Sequence, residues 1–309
     1  MTFINKYIPK IYFKINKFIF TKNYQISYFK GGFESFGNNI QQIALGILYC
    51  NLNNYNFYLK GHPYINDFKV INNSFNDRLS FLKKRYRFFY FDKPVTNFYD
   101  RKDYLNKAEN DFPISENDKE YYINNIHETV QKFIKPNLHI YENVQIGNET
   151  LVIHIRSGDI FKNNWHSMYV QNPVSYFEKL MEKFEKVIIV TSDYANPVIN
   201  ILAKYEKVKI LTGTFKDDLN ILLNAQNLAS SGVGTFVVSA AMLSKKIENF
   251  FCSQYYLNEH LNPTMLNEEI NVNFFNIKEY IDIGDFIKNK ENFNKLTSNR
   301  IKVDYMIYE

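Results

Sequence analysis

A chain of 309 residues is long enough for two ordinary domains, and an apolar content of 45% supplies proper cores, which excludes a disordered protein. The net charge is +5 and, past the first thirty residues, spread along the chain, so the dense basic stripe of a nucleic-acid binder is missing and no nucleic-acid partner is expected. Cys50 and Cys252 fall on runs that read as buried, with no metal-ligand spacing and no disulfide framework, which suits a reducing compartment.

The chain opens on an amphipathic pattern. Ile4, Tyr7, Ile8, Ile11, Tyr12, Ile15, Phe18 and Ile19 recur at helical spacing, with Lys6, Lys10, Lys14 and Lys17 opposite. Residues 1–22 are therefore expected to form a basic helix, with Pro9 in its first turn. Residues 1–30 hold six lysines and no acid, a composition that suits residues 3–20 to an anionic membrane surface. The alternative is a helix packed on the protein's own core with a solvated lysine face. Lysine interrupts the apolar run every three or four residues, so neither a secretory signal nor a membrane span is read here, and a cytoplasmic, peripheral protein is expected.

Next, Tyr24–Lys30 alternates like a strand and runs through a glycine-rich turn, residues 31–39, into a helix over 40–49. Such a strand, glycine loop and helix offer a helix amino terminus to an anion, although the spacing is not the Gly-x-Gly-x-x-Gly fingerprint. A short strand, Asn56–Lys60, ends at Gly61-His62-Pro63, where a polar side chain is expected to face a cleft. Residues 64–145 are less regular, with helical patches over 77–87 and 119–133, and the domain boundary is placed at 145/146.

The second half alternates cleanly. Strands are expected at 151–156, 186–191, 208–211 and 247–252, and helices at 173–184, 197–204, 217–227 and 237–244. That alternation predicts an α/β protein with a doubly wound parallel sheet. A domain over 146–270 would be followed by a tail, 271–309, containing a helical stretch at 283–293 and packing back across the domains.

The run Leu-Val-Ile-His154-Ile-Arg156-Ser-Gly158-Asp159 is the chemical centre of the chain. His154 and Arg156 share a face of a buried strand whose carboxyl end is where α/β sheets bind ligands. An arginine there is costly to desolvate without an anion, so it meets either a phosphate or diphosphate or an internal carboxylate such as Asp159. Further on, Gly232-Val-Gly234-Thr235-Phe236 ahead of an apolar helix reads as a second anion cradle, or as a loop of small residues passing under a neighbour.

His154-Ile-Arg156-Ser-Gly158-Asp159 resembles the His-x-Arg-Arg-Gly-Asp motif of the α-1,2- and α-1,6-fucosyltransferase superfamily, whose members have two Rossmann-like domains in the GT-B arrangement. Gly37-Asn38-Asn39-Ile-Gln-Gln42-Ile-Ala44-Leu-Gly46 is similar to that family's amino-terminal motif, and Leu228–Ser244 to its third. The resemblance covers most of residues 24–250, leaving out the amino-terminal helix and residues 64–145.

It implies an inverting, metal-independent transfer of fucose from GDP-fucose to a hydroxyl of a glycan or glycolipid in surface polysaccharide synthesis, with no cofactor. Residues 23–145 would be the acceptor-side domain and 146–270 the donor-side one. Arg156 would hold the β-phosphate, with His154, Gly158, Asp193, Gly234, Thr235, Phe236, Gly37 and Asn38 around the donor; Asp193 would accept from the guanine. The residues themselves leave the catalytic base open among Asp159 and Glu34, carboxylates on the loops concerned, and His62 and His166, which would also meet the acceptor.

Two departures stand out. Ser157 replaces the motif's second arginine, and Gly-Gly-Phe-Glu-Ser-Phe-Gly exceeds the usual Gly-Leu-Gly, which leaves open another GDP- or UDP-sugar, or a non-catalytic nucleotide- or glycan-binding module. No Asp-x-Asp is present, which argues against the metal-dependent GT-A class.

Overall fold

The structure, a computed structural model, describes residues 23–27, 36–54, 56–72, 86–89, 110–113, 116–161, 165–258 and 260–306. The basic helix expected over 1–22 and the loop carrying Glu34 lie outside them. Two compact units meet between His139 and Ile140. The division comes earlier than 145/146 because residues 140–142 are bonded to the second unit. Asn220 Nδ2 donates to the Ile140 carbonyl (3.0 Å), the Glu142 N–H to Asn220 Oδ1 (2.7 Å) and Asn224 Nδ2 to the Glu142 carbonyl (2.8 Å).

In the first unit β1 (Asn23–Ser27), α1 (Phe36–Leu52) and β2 (Asn56–Lys60) form a parallel βαβ unit, and β3 (Phe68–Val70) adds antiparallel to β2. Ile40, Ile43, Ala44, Leu45, Ile47 and Leu48 are all buried, so α1 is enclosed almost all round. The helix begins at Phe36, so Gly37 and Asn38, expected in the preceding loop, belong to its first turn. On α1 packs α2 (Lys119–Thr129), which widens through a π turn, Val130–Ile134, and then tightens into a 3-10 turn, Lys135–Asn137. Arg87, expected to end a helical patch, lies instead in β4 (Tyr86–Phe89), which pairs in parallel with β5 (Asn110–Pro113). Periodicity over a few residues cannot reveal a partner 24 positions away.

The second unit is a mostly parallel seven-stranded α/β structure. Its strands are β6 (Thr150–His154), β7 (Lys186–Val190), β8 (Val208–Leu211), β9 (Asn227–Ser230), β10 (Asn249–Ser253), β11 (Asn271–Ile277) and β12 (Val303–Met306). Across the sheet they run β12-β11-β10-β9-β6-β7-β8, with only β12 antiparallel. From β6 the chain steps outward to β7 and β8, then returns to β9 on the other side of β6, an order compatible with the Rossmann-like class. Crossovers of the usual right hand would put α3 (Val174–Met181) and α4 (Pro197–Leu202) on one face, and α5 (Phe215–Asn224) and α6 (Phe236–Leu243) on the other. Accordingly α3 packs on α4 and α5 on α6.

Burial on both faces accounts for the nearly continuous apolar strands. Leu151, Val152, Ile153, Ile189, Val190, Leu228 and Phe250 are all at most 1% exposed. Each such side chain contributes about 1.5 to 3 kcal/mol through burial.

Residues 271–309 are not a tail. β11 and β12 complete the same sheet, and the helix expected at 283–293 is α7 (Lys290–Leu296), started by Asn289, whose side chain accepts from the Asn292 N–H. Ahead of it Gly284, at φ 108°, keeps the chain irregular. Phe286, fully buried, stacks on Trp165 (4.8 Å) and meets the edge of Phe161 (5.9 Å). This segment therefore anchors the connection that follows β6 within the unit.

No helix among the described residues is long and apolar enough to cross a membrane.

Candidate functional site

The strand order reverses between β6 and β9, and in open α/β sheets ligands bind beyond the carboxyl ends of the strands at such a point. His154 ends β6, opposite Val190 of β7 and Ser230 of β9. Arg156 leaves the sheet at that point, held by its own N–H on Ser231 Oγ (3.0 Å). Its guanidinium carbon lies over the Tyr169 ring, 4.1 Å from the centroid. A Cβ placed on Gly234 would stand 3.9 Å from Arg156 Cδ, so the loop after β9 passes directly beside the arginine.

The carboxylate alternative read from the sequence is realised. Arg156 Nη2 contacts Asp159 Oδ2 at 3.3 Å, but the Asp159 side chain is 73% exposed and the Arg156 side chain 26%. An open pair of this kind contributes less than about 1 kcal/mol. Solvent or another anion therefore displaces the aspartate at little cost.

Ser157 and Asp193 build the turn. Ser157 is 3% exposed; its Oγ donates to Asp193 Oδ1 (2.5 Å) and accepts from the Asn196 N–H (2.9 Å). The same carboxylate oxygen takes N–H donors from Gly158 (3.0 Å) and Ala195 (2.9 Å). Gly158 sits at φ 62°, and a Cβ there would approach Asp193 Oδ2 to 3.1 Å, so the turn demands glycine. Asp193 Oδ1, expected to read a guanine, is thus occupied in joining the ends of β6 and β7.

On the other side Gln171, fully buried, ties three segments together. Its Nε2 donates to the carbonyls of Tyr169 (3.1 Å), Val170 (3.1 Å) and Val233 (3.3 Å), and its Oε1 accepts from Ser231 Oγ (2.7 Å). Ser231 in turn receives the Arg156 N–H, so a two-residue relay fixes the arginine's backbone from the core. The Tyr280 hydroxyl donates to the Gln171 carbonyl (2.9 Å), bringing the last third of the chain into the same network.

Gly232 lies at φ 122°, and a Cβ there would come within 2.3 Å of the Val170 carbonyl oxygen. Gly232→Ala is expected to cost about 3 kcal/mol, measured by urea denaturation, since strain and clash act together. Gly234→Ala, which meets only ordinary contacts, is expected to leave the midpoint near the wild-type value.

His154 and Phe236 meet edge to face at 5.0 Å, and Phe236 continues to Phe215 at 5.7 Å, forming a half-buried aromatic shelf beside the amino terminus of α6. Desolvation, reinforced by the Arg156 charge, pushes the His154 pKa down to about 3, so the ring is neutral. The folded state then binds fewer protons than the unfolded chain, where histidine titrates near 6.5. Stability from this group is complete above about pH 6.5 and falls as pH drops toward 3, by up to about 1.4 kcal/mol per pH unit. The expected result is a melting temperature that falls on acidification, with a shallower dependence in His154→Gln; an unchanged slope would count against a neutral His154.

Arg156, Asp159, His154, Gly158, Asp193, Gly234, Thr235 and Phe236 thus lie at or just beyond the carboxyl ends of β6, β7 and β9. His166 joins them at one remove, its ring edge-on to Tyr169 at 4.7 Å. Gly37, Asn38 and His62 belong to the other unit. His62, expected to face a cleft, is 7% exposed: Gly61 at φ 72° turns the chain inward, and His62 Nδ1 accepts from the Tyr64 N–H (3.1 Å). Burial and then the His139 charge lower its pKa to about 4. Cys50 and Cys252 are buried free thiols whose pKa values burial raises.

Tyr169, Gln171 and Ser231 were not found from the sequence. The polar pair Gln171-Asn172 just ahead of Pro173 was the available signal, since buried amides at a helix entrance imply bonded partners. Among the described residues no three His, Cys, Asp or Glu side chains form a metal-ligand group. Compared with family models, curated proteins and solved structures, the chain matches none of them.

Proposed function

We propose that the chain is a glycosyltransferase that binds the diphosphate of a nucleotide-sugar donor at Arg156 and transfers the sugar, with inversion and without a metal, to a hydroxyl of a glycan or lipid-linked acceptor. The observation that carries this reading is Arg156 at the strand-order reversal, partly open, beside Gly234 and the amino end of α6. Departure of a diphosphate concentrates charge on its oxygens, and a fixed guanidinium with a helix dipole stabilises that charge as it develops. Resemblance to the fucosyltransferase motifs narrows the donor to GDP-fucose, with another GDP- or UDP-sugar as the second choice. A GT-B arrangement of two Rossmann-like domains and a cytoplasmic site on an anionic membrane surface belong to the same proposal.

Asp159 fits a stand-in for the phosphate better than a catalytic base. In an inverting displacement the base and leaving group lie on opposite faces of the sugar, and Asp159 is bonded to the arginine assigned to the leaving group. Asp159→Asn is then expected to tighten GDP binding about threefold, the worth of an exposed ion pair. Loss of turnover by a hundredfold with unchanged GDP binding would instead make Asp159 the base.

The test of the proposal is thermal shift with GDP, UDP, CMP, GDP-fucose and GDP-mannose. A ligand at ~100 times its dissociation constant adds about 2.7 kcal/mol, a readable rise in melting temperature. Stabilisation by guanine nucleotides with transfer or slow donor hydrolysis is the expected result. UDP stabilisation alone would change the donor, binding without turnover would leave a nucleotide-binding module, and no binding would reject the proposal.

A further inference from the structure

We infer that Tyr169 is a positioning residue whose ring face holds the Arg156 guanidinium flat, so that its in-plane N–H donors stay directed at a diphosphate. This rests on the donor reading of the site. An arginine stacked on an aromatic ring uses its π face and keeps its fork of donors available, whereas one anchored only by carboxylates spends those donors. Here the guanidinium carbon is 4.1 Å from the ring centroid, while its carboxylate contact is one nitrogen to the exposed Asp159.

The platform itself is built to stay in place. Tyr169 is 4% exposed, its ring is packed edge-on by His166 at 4.7 Å and tilted against His260 at 6.4 Å, and its carbonyl receives Gln171 Nε2. Its N–H donates to the His166 carbonyl (2.9 Å). The segment carrying it is held on both sides: Val233 N–H donates to the Val170 carbonyl (3.0 Å) and Asn172 N–H to the Ser231 carbonyl (2.7 Å). Backbone and guanidinium of the arginine are therefore fixed by one short stretch, the first through Gln171 and Ser231, the second through Tyr169. An arginine fixed in advance loses little conformational freedom when the anion arrives.

The test uses the full chain with Tyr169→Phe and Tyr169→Leu. The Arg156 Nε–H resonance, identified by its disappearance in Arg156→Lys, is expected to be ring-shifted in wild type and Tyr169→Phe and to move to the free-arginine position in Tyr169→Leu. Calorimetry with inorganic pyrophosphate and with GDP is expected to show about tenfold weaker binding in Tyr169→Leu, and recovery to within about twofold in Tyr169→Phe. A wild-type resonance at the free-arginine position overturns the inference, as does Tyr169→Leu binding both probes like wild type, or Tyr169→Phe losing as much as Tyr169→Leu. If wild type binds neither probe the donor reading fails, and the wild-type resonance still decides whether Tyr169 holds the arginine.

Discussion

Arg156→Ala is expected to lower sugar transfer or donor hydrolysis by two to three orders of magnitude, the scale on which a preorganised donor to a developing anion acts. The side chain is already 26% exposed and its ion pair open to solvent, so the fold is expected to survive the change. Arg156→Lys is expected to recover little, because a point charge offers neither the planar fork for two phosphate oxygens nor a face for the Tyr169 ring. The measurements are turnover and GDP affinity for the three proteins side by side. Unchanged GDP binding in Arg156→Ala would remove Arg156 from the donor site.

The second large effect concerns the residue that departs from the resembled motif. Ser157→Arg restores the paired arginines of that motif in sequence but is expected to destabilise the second unit by about 4 kcal/mol, combining overpacking with lost hydrogen bonds. Ser157 is 3% exposed and its hydroxyl joins Asp193 to the Asn196 N–H, at the point where β7 hands the chain to α4. Asn196 also starts α4 by accepting from the Val198 N–H and holds the Arg156 carbonyl through its Nδ2 (3.1 Å). A long cationic side chain has to push these groups apart. Ser157→Ala, which removes the hydroxyl and adds no bulk, is expected to cost about 2 kcal/mol. The check is the urea midpoint of both variants; a Ser157→Arg protein as stable as wild type, with faster transfer, would show that the second arginine fits after all.

These two residues mark the limit of what was legible. Arg156 was readable because a charge directly after an apolar strand announces that something must satisfy it, although β6 itself ends at His154, two residues short of the expected Arg156. Ser157 read as a missing arginine, because its significance lies in Asp193 and Asn196, residues separated from it by more than thirty positions. Similarly Gly232 and Gly234 were visible as one small-residue loop, yet their environments differ. A Cβ on the first meets the Val170 carbonyl at 2.3 Å, and a Cβ on the second reaches only the Arg156 side chain at 3.9 Å.

By itself the sequence determined the alternation of strands and helices from Thr150 to Ser253, because the parallel strands are buried on both faces, α3 and α5 are amphipathic and α6 is a short apolar run opened by glycines. It also located the arginine, the glycine loop and the ends of the strands that present them. Tertiary structure alone decided that β11 and β12 complete the sheet, that Asp193 braces a turn, that His62 faces inward, and that Tyr169 underlies the guanidinium. The physical reason is common to all four. Each depends on contacts outside its own short run, with Phe36 packed on His62 at 6.4 Å among them, made only once the fold has set which ends and edges lie together, and no local pattern of residues encodes them.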